Sequence, residues 1–496
     1  MKKLLLFAIS CALFVSSCDS FLDVKPTSQA DAKSAVGTAA DAQVIMNGIM
    51  RKMLGDGSYY GRNMFLYADA KGGDLCVGGR GRGYDNLFVF EHTTVSGTYS
   101  GFWSQIYHCL AQINNLITNI EIISDAGNGS GALNHLKAQA LTARAICYYD
   151  LVRLYGKPYD MDKNALGVPL ILEVLDASAQ PPRATVGEVY SQIVADLNAA
   201  IPLFTKGQKD NGYINYYAGV SMQARVYLQM QNYSAALTAA EEVIDSKIYT
   251  LYANDGWVDS WSKQFQTESI FELIYLPIEG DLTRSSLGSM NIKTPSSYTN
   301  WDYFIASDAF LALLGEDPDD IRWGLMGIDE KSEKVNHVGE MVGLRKGCCY
   351  KYMGGLSCPG DGKSTSTAVN IKVIRLSEIY LIAAEAAFLS NNKEKAATYL
   401  QAIRQRAPNL DPATAANVTL EMIQNERSKE LLNEGHRFFD MMRWNKSITY
   451  NDFWTMSPVT SRPETIDRTY YKTVLPIDVN EINANPTLKD QQNPGY

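Results

Sequence analysis

Two clusters of aromatic, charged and amide side chains have the composition of a binding site. Both lie in stretches that are rich in glycine, serine or asparagine. The clusters are Arg80, Arg82, Tyr84, Asp85 and Asn86, and Tyr298, Asn300, Trp301, Asp302 and Tyr303. Ligand sites combine an apolar lining with a few placed polar groups. The sequence therefore predicts that these clusters contact a ligand; the alternative is that the aromatic residues fill a local core.

Motifs for catalysis and metal binding are missing or incomplete. Gly362-Lys363-Ser364 resembles the end of a phosphate-binding loop, but Ser357 stands where that motif requires its first glycine. A stretch that starts at Asp160 begins like a calcium loop, yet its sixth and twelfth positions are Ala165 and Ile171 instead of glycine and glutamate. We therefore predict a protein that is not an enzyme and holds no cofactor or metal, since the sequence gives no support for a structural calcium ion.

A run of charges near the C-terminus has helical spacing. Its members are Glu426, Arg427, Glu430, Glu434, Arg437, Asp440 and Arg443. Acidic and basic groups alternate at intervals of three and four residues, which favours ion pairs between successive turns of one helix. We interpret the run as structural and not as an acid/base site.

The charge balance argues against a nucleic-acid partner. The 496 residues include 54 acidic and 45 basic side chains, for a net charge of −9. Loss of Lys2 and Lys3 with a signal peptide would make the net charge −11. Proteins that bind nucleic acids use lysine and arginine to neutralise phosphates, so this composition is unfavourable for that function.

The N-terminal segment has the features of an export signal. Two lysines precede an apolar run from Leu4 to Val15, which is too short to span a bilayer as a helix. Val15-Ser16-Ser17-Cys18 resembles the cleavage box of bacterial lipoproteins, which implies acylation of Cys18. We predict a signal peptide at 1–17 and an acylated tether at 18–40; the alternative is secretion without a lipid.

Six further cysteines follow the tether. Cys109 and Cys147 fall on apolar helical patterns and are predicted to be buried thiols. An exported protein can form disulfides, and six cysteines permit 15 pairings. The pair that we expect first joins Cys348 or Cys349 to Cys358, while Cys76 has no assigned partner.

Most of the chain has the periodicity of paired helices. Apolar residues recur every three or four positions in several stretches. The predicted helices span about 103–124, 132–155, 186–203 and 214–231. The stretches that begin at Tyr227 and Phe388 resemble each other: a helix ends in aromatic-Leu, a short polar turn follows, and the next helix opens with Ala-Ala. This pattern is similar to the tetratricopeptide helix–turn–helix.

The predicted fold is therefore mainly α, an irregular tetratricopeptide-type scaffold with a large loop-rich insert. Residues 41–496 are expected to form a single domain. The helical pattern breaks at about 56–101 and 251–369, with one clear helix in the second range near 307–314. Long irregular segments on a compact body are often functional. We expect these two ranges to form the ligand face.

A set of short motifs runs in a characteristic order along nearly the whole chain. They are Cys18-Asp-Ser-Phe-Leu-Asp-Val-Lys-Pro26, Trp103-Ser-Gln-Ile-Tyr107, Arg144–Gly156, Gly167-Val-Pro-Leu170, Val186–Tyr190, Arg375–Ala386, Glu434-Gly-His-Arg437, Asp440–Trp444, Leu475-Pro-Ile-Asp478 and Gln492–Tyr496. In this order and spacing the chain resembles the SusD/RagB family of lipoproteins from the outer membrane of Bacteroidetes.

The resemblance implies a role and a partner. Members of this family bind nutrients at the cell surface and cover SusC-like TonB-dependent transporters, so this chain is expected in the outer membrane facing the exterior. The expected ligand is an oligosaccharide, whose rings present an apolar face to an aromatic side chain and a rim of hydroxyls to polar groups. The alternatives are a peptide ligand, a helical scaffold without a small ligand, and a surface hydrolase, which the missing catalytic motifs disfavour.

Overall fold

The structure is a computed structural model that describes residues 36–77, 85–95, 101–176, 178–275, 286–291, 304–327, 334–335, 341–342, 347–352, 369–453 and 458–496. Helices dominate this part of the chain, as predicted. The α-helices are α1 Ala39–Leu54, α2 Asn63–Gly72, α3 Asn86–Val89, α4 Gly101–Ile123, α5 Gly131–Tyr155, α6 Val186–Ala200, α7 Tyr216–Gln229, α8 Tyr233–Asp245, α9 Asn254–Ser260, α10 Leu287–Asn291, α11 Asp308–Leu314, α12 Leu376–Leu389, α13 Lys393–Arg404, α14 Leu420–Leu431, α15 Arg437–Arg443 and α16 Val479–Ala484.

Short antiparallel ribbons connect the helical parts. The strands are β1 Leu75–Val77, β2 Ser269–Leu273, β3 Phe304–Ala306, β4 Met326–Gly327, β5 Lys334–Val335, β6 Met341–Val342, β7 Cys348–Cys349, β8 Ile371–Arg375, β9 Ile448–Thr449 and β10 Thr465–Ile466. Within the described ranges each strand has one partner: β1 pairs with β3, β2 with β8, β4 with β7, β5 with β6, and β9 with β10. Two of these pairs, β1 with β3 and β2 with β8, join segments from distant parts of the sequence.

The N-terminal half packs around α5, which is buried along most of its length. The four helices predicted here, α4 to α7, are confirmed with small changes at their ends. Thr38 and Asp41 form a capping box at the start of α1, which packs against α4 and α5. Inside this bundle the guanidinium of Arg144 on α5 binds the carboxylate of Asp196 on α6 at 2.6 and 2.8 Å.

The two predicted helix pairs have the same turn geometry. Helices α7 and α8 form one pair, and α12 and α13 form the other. In each turn a polar residue has a positive φ, Gln231 at 58° and Asn391 at 61°. The next residue, Asn232 or Asn392, accepts a hydrogen bond from the backbone N–H three residues ahead and so caps the second helix. Helix α12 also packs against α8, so the two pairs are neighbours.

The range predicted as the first ligand loop is partly scaffold. All ten residues of α2, Asn63–Gly72, are buried. A Cβ on Gly72 would lie 2.4 Å from Cγ of Arg437, so glycine allows α2 to approach α15 closely. In the second range α11 is confirmed, with Ser307 as its cap. The structure also contains the short helices α9 and α10 there, which lack an extended sequence periodicity.

A group of charged side chains is buried where the central insert, the second helix pair and the C-terminal helices meet. We call it the ion cluster, and none of its side chains is more than 4% exposed. Its members are Glu268, Arg322, Lys351, Arg375, Arg406, Glu426, Glu430 and Glu434. Arg375 binds Glu430 at 2.9 Å and Glu434 at 2.8 Å, while Nε of Arg406 lies 3.1 Å from Glu430.

The prediction of one helix with ion pairs between its turns is wrong for this C-terminal run. Helix α14 ends at Leu431, and positive φ angles at Asn433 (62°) and Gly435 (82°) turn the chain before α15 begins. Most of its charges pair with residues that are distant in sequence, such as Arg322 with Glu426. Spacing alone could not reveal this, because those partners come from the insert and from other helices. The structural interpretation of the run agrees with these buried pairs.

The described cysteines are all buried. Cys109 and Cys147 are buried thiols, as predicted, and a hydrogen bond between them contributes with burial to raising the pKa of Cys147. Cys76, Cys348 and Cys349 are also buried. The expected partner of Cys348 or Cys349, Cys358, lies outside the described residues, so that disulfide stays a prediction.

Replacing Glu430 with glutamine is expected to destabilise the protein by about 3–5 kcal/mol, because it leaves Arg375 and Arg406 buried without their shared counter-charge. Burial alone raises the pKa of Glu430, but Arg406, Arg375 and Arg322 outweigh that effect and hold the pKa at about 2. Its carboxylate therefore stabilises the fold above about pH 4.5, and this contribution is lost as the pH falls towards 2.

Urea denaturation at several pH values measures this effect. The difference in the free energy of unfolding between Glu430→Gln and the unmodified chain should be largest at pH 7 and should decrease below pH 4.5. Glu421→Gln on the same helix is the matched control, since Glu421 is exposed, and it should change the free energy of unfolding by less than about 0.5 kcal/mol. Equal effects of the two substitutions would contradict the account of the cluster.

Candidate functional site

The ribbon of β1 and β3 joins the two predicted ligand segments. The strands run antiparallel, with Leu75 opposite Ala306, Cys76 opposite Ile305 and Val77 opposite Phe304. All six residues are buried. The chain that leaves β1 after Val77 and the chain that enters β3 before Phe304 are therefore at the same end of the ribbon. Segments more than two hundred residues apart in sequence share one attachment point.

Eight of the ten predicted ligand contacts lie outside the described residues. They are Arg80, Arg82, Tyr84, Tyr298, Asn300, Trp301, Asp302 and Tyr303. The structure describes the attachment points on which these residues depend. Each cluster is covalently close to the ribbon, since Arg80 follows Val77 by three residues and Trp301 precedes Phe304 by three, and three residues span about 10 Å at most.

Asp85 and Asn86 are the predicted contacts that the structure describes. Asp85 is only 3% exposed, so it supports the end of its loop and does not present a carboxylate to solvent. Its carbonyl accepts a hydrogen bond from the N–H of Val89. Asn86 is half-buried and begins α3. Asp85 directly precedes α3 and is buried here, and its role as a ligand contact stays a prediction.

The ribbon is fixed to the C-terminal helices by hydrogen bonds and an ion pair. The N–H of Ser307 donates to the carbonyl of Asp74 at 2.8 Å, directly beside the ribbon. The carboxylate of Asp74 accepts a hydrogen bond from Ser428 of α14 at 2.6 Å and lies 3.1 Å from the guanidinium of Arg437 of α15. Burial raises the pKa of Asp74, whereas Arg437 and Ser428 oppose that rise.

Sequence reasoning missed the residues that hold α3. Arg462 donates to the carbonyl of Phe88 at 2.8 Å, binds Asp452 at 2.6 Å, and places its guanidinium 3.8 Å from the ring centre of Tyr450. These contacts fix the far end of the first ligand segment by ion pairing and by a cation–π interaction. The sequence gives no signal for them, since Arg462 lies nearly four hundred residues from Phe88.

The large aromatic residues outside the two clusters are mostly structural. Trp257 and Trp261 are buried, and the indole N–H of Trp257 donates to Glu430 at 3.2 Å. Trp103 is also buried, as expected for a scaffold motif.

The incomplete calcium loop has a structural use. The carboxylate of Asp162 accepts hydrogen bonds from the N–H groups of Asn164 and Ala165, and Asp160 binds Arg468 at 2.6 Å. Across the ranges that the structure describes, no three histidine, cysteine or acidic side chains gather as metal ligands. No helix in those ranges has both the length and the apolar character needed to span a bilayer.

Comparison with solved structures identifies the family. A SusD superfamily protein from Bacteroides thetaiotaomicron is 33% identical, with a TM-score of 0.83, over 92% of this chain and 100% of that one. The chain belongs to the SusD family. Models of the SusD family and of the family described as starch-binding and associating with the outer membrane match residues 347–496 and 20–228.

Two other SusD relatives extend the comparison. A SusD-like protein from Formosa agariphila is 25% identical over 97% of both chains. A laminarin-binding SusD-like protein is 24% identical, with a TM-score of 0.68, over 92% of this chain and 99% of its own, which shows the shared fold. The resemblance drawn from the sequence motifs is confirmed.

A cross-strand disulfide tests the ribbon that joins the two ligand segments. Ile305→Cys should form a disulfide with Cys76, because directly opposed residues of antiparallel strands have Cα atoms about 4.5–5.5 Å apart, within disulfide range. Phe304→Cys is the matched control, since neighbouring residues of a strand point to opposite faces. After mild oxidation, peptide mapping should find the Cys76 disulfide only in the first variant. Equal yields in both variants would contradict the register.

Proposed function

We propose that this chain is a cell-surface lipoprotein that captures oligosaccharides and delivers them to a SusC-like TonB-dependent transporter. The observation that carries the proposal is the β1–β3 ribbon in a SusD-family fold. The two chain segments that contain the predicted ligand clusters leave this ribbon at the same end. Support also comes from the family description as starch-binding and from the laminarin-binding relative.

Binding requires stacking and hydrogen bonding together. The rings of Trp301, Tyr298 and Tyr303 stack against the apolar faces of sugar rings, while Arg80 and Arg82 bind hydroxyl groups. The guanidinium is a planar donor with five N–H groups, well suited to a rim of hydroxyls. The chain binds its ligand without changing it, since no catalytic motif is present in its sequence.

The proposal also includes a lipid anchor at Cys18 and an orientation towards the cell exterior. Acylation of Cys18 with two or more chains holds the protein firmly at the outer membrane, since each buried methylene contributes about 0.8 kcal/mol. The protein faces the cell exterior, where it meets its ligand and covers the transporter. Its acidic surface favours neutral oligosaccharides over polyanions.

Removing the aromatic rings of the second cluster tests the binding site. Trp301→Ala and Tyr303→Ala should each weaken oligosaccharide binding at least about tenfold, as expected for central interface residues, and the double variant should show no measurable binding by calorimetry. The glycan is first selected on an array, with a peptide pool beside it. Tyr471→Ala, which removes a ring that is 41% exposed outside the clusters, should leave the affinity unchanged.

Three results would contradict this proposal. Unchanged affinity in the folded double variant would show that Trp301 and Tyr303 do not bind the glycan. Binding to peptides without binding to any glycan would favour the peptide-binding alternative. Release of shortened glycan products would show an enzyme.

The lipid anchor has its own test. Cells fed an alkyne-tagged fatty acid should label the natural chain and not the Cys18→Ala variant, and the variant should move from the membrane to the soluble fraction. Equal labelling of both chains would contradict acylation at this cysteine.

A further inference from the structure

A cavity of about 430 Å³ lies beside α4, and neither Asp85 nor Asn86, the predicted ligand contacts that the structure describes, lines it. Its walls come from α4, from the extended segment 169–181 and from the C-terminal residues 481–488. Trp103 and Tyr107 form an aromatic wall, and the Tyr107 hydroxyl donates to the carbonyl of Pro169 at 2.8 Å. This volume falls within the range of cavities that bind small ligands or short peptide segments.

Several apolar side chains around the cavity are exposed, and one buried polar atom accepts no hydrogen bond from the described residues. Leu172, Val174 and Leu175 lie in or beside its wall, and Val174 is 62% exposed. The amide of Asn485 donates to the carbonyl of Pro181 at 2.8 Å, but its buried Oδ1 accepts no hydrogen bond from that part of the chain. A suitable occupant therefore has apolar side chains and a free N–H donor.

The cavity also carries negative charge. Glu173 and Glu481 line it. Burial raises the pKa of Glu481, and the neighbouring carboxylate of Asp478 raises it further. A positive charge on the occupant would stabilise both carboxylates.

We propose that residues 21–25 of this same chain bind in the cavity. Phe21, Leu22 and Val24 supply the apolar side chains, and the backbone supplies the N–H donor for Asn485. Lys25 places its positive charge beside the cavity carboxylates, while the carboxylate of Asp23 stays in solvent. Pro26 favours an extended conformation at Lys25, which suits a groove between an extended segment and a helix. Attachment to the same chain gives a high effective concentration, so weak contacts are sufficient for binding.

The connection is long enough. Lys52 on α1 accepts a hydrogen bond from Gln105 on α4, one turn from the aromatic wall. Helix α1 rises about 20 Å between Ala39 and Lys52, and the three residues from Val36 to Ala39 add about 10 Å at most. Val36 therefore lies within about 45 Å of Tyr107. The fourteen residues from Leu22 to Val36 can span about 46 Å when extended.

One consequence concerns orientation and rests on the proposed lipid anchor. Cys18 precedes Phe21 by three residues, so a bound segment holds the acylated residue within about 10 Å of the cavity. The cavity face of α4 would then be held towards the membrane.

Disulfide trapping in the full-length chain tests the binding of this segment. Leu22→Cys combined with Ala111→Cys should form an internal disulfide on mild oxidation, because Ala111 lines the cavity. Leu22→Cys with Gln112→Cys is the matched control, since Gln112 is exposed on the same helix but does not line the cavity. Peptide mapping should find at least fivefold more disulfide in the first pair.

A second measurement does not depend on disulfide geometry. The rate at which a maleimide labels Phe21→Cys should rise at least fivefold when Ala111→Trp fills the cavity and displaces the segment. The rate should not change with Gln112→Trp. Equal trapping in both pairs, or equal labelling in both tryptophan variants, would overturn the proposal. Neither readout involves a glycan or a lipid, so a failure here is distinct from a failure of the proposed function.

Discussion

The ion pairs of Arg375 with Glu430 and Glu434 hold together parts of the chain that are distant in sequence. Arg375 ends β8 and directly precedes α12, while both glutamates belong to the C-terminal part of the chain. Arg406 follows α13, and Arg322 and Lys351 come from the central insert. Buried charges are costly unless each is paired, so a packing that separated these partners would be unfavourable.

The positions of the ligand segments depend on that packing. Helix α14 carries both Glu430 of the ion cluster and Ser428, which binds Asp74 beside the ribbon. The N–H of Ala306 in β3 also donates a hydrogen bond to the carbonyl of Gly347, four residues before Lys351. The ion cluster and the ribbon are thus two ends of one connected set of contacts, and a rigid scaffold of this kind positions binding loops well.

Local sequence patterns predicted the helical scaffold and little of the insert. The helix pairs were predictable because polar turns and small residues repeat at Asn232 and Asn392. Helix α2 was not, since it is buried on all sides and therefore lacks an amphipathic pattern. The partners of Glu426 and Glu430 could not be read from spacing, because they lie on other elements. The ligand clusters were chosen by composition, which cannot reveal that Asp85 is buried.

We propose that a rigid helical body presents two distant segments, through one ribbon, to a carbohydrate. Hydrogen exchange followed by mass spectrometry, with and without an oligosaccharide selected on a glycan array, tests this most directly. We predict that exchange slows on binding in both 78–86 and 298–303, and that the helix pairs α7–α8 and α12–α13 are unaffected. Slower exchange in only one of the two segments, or slower exchange confined to the helix pairs, would contradict the account.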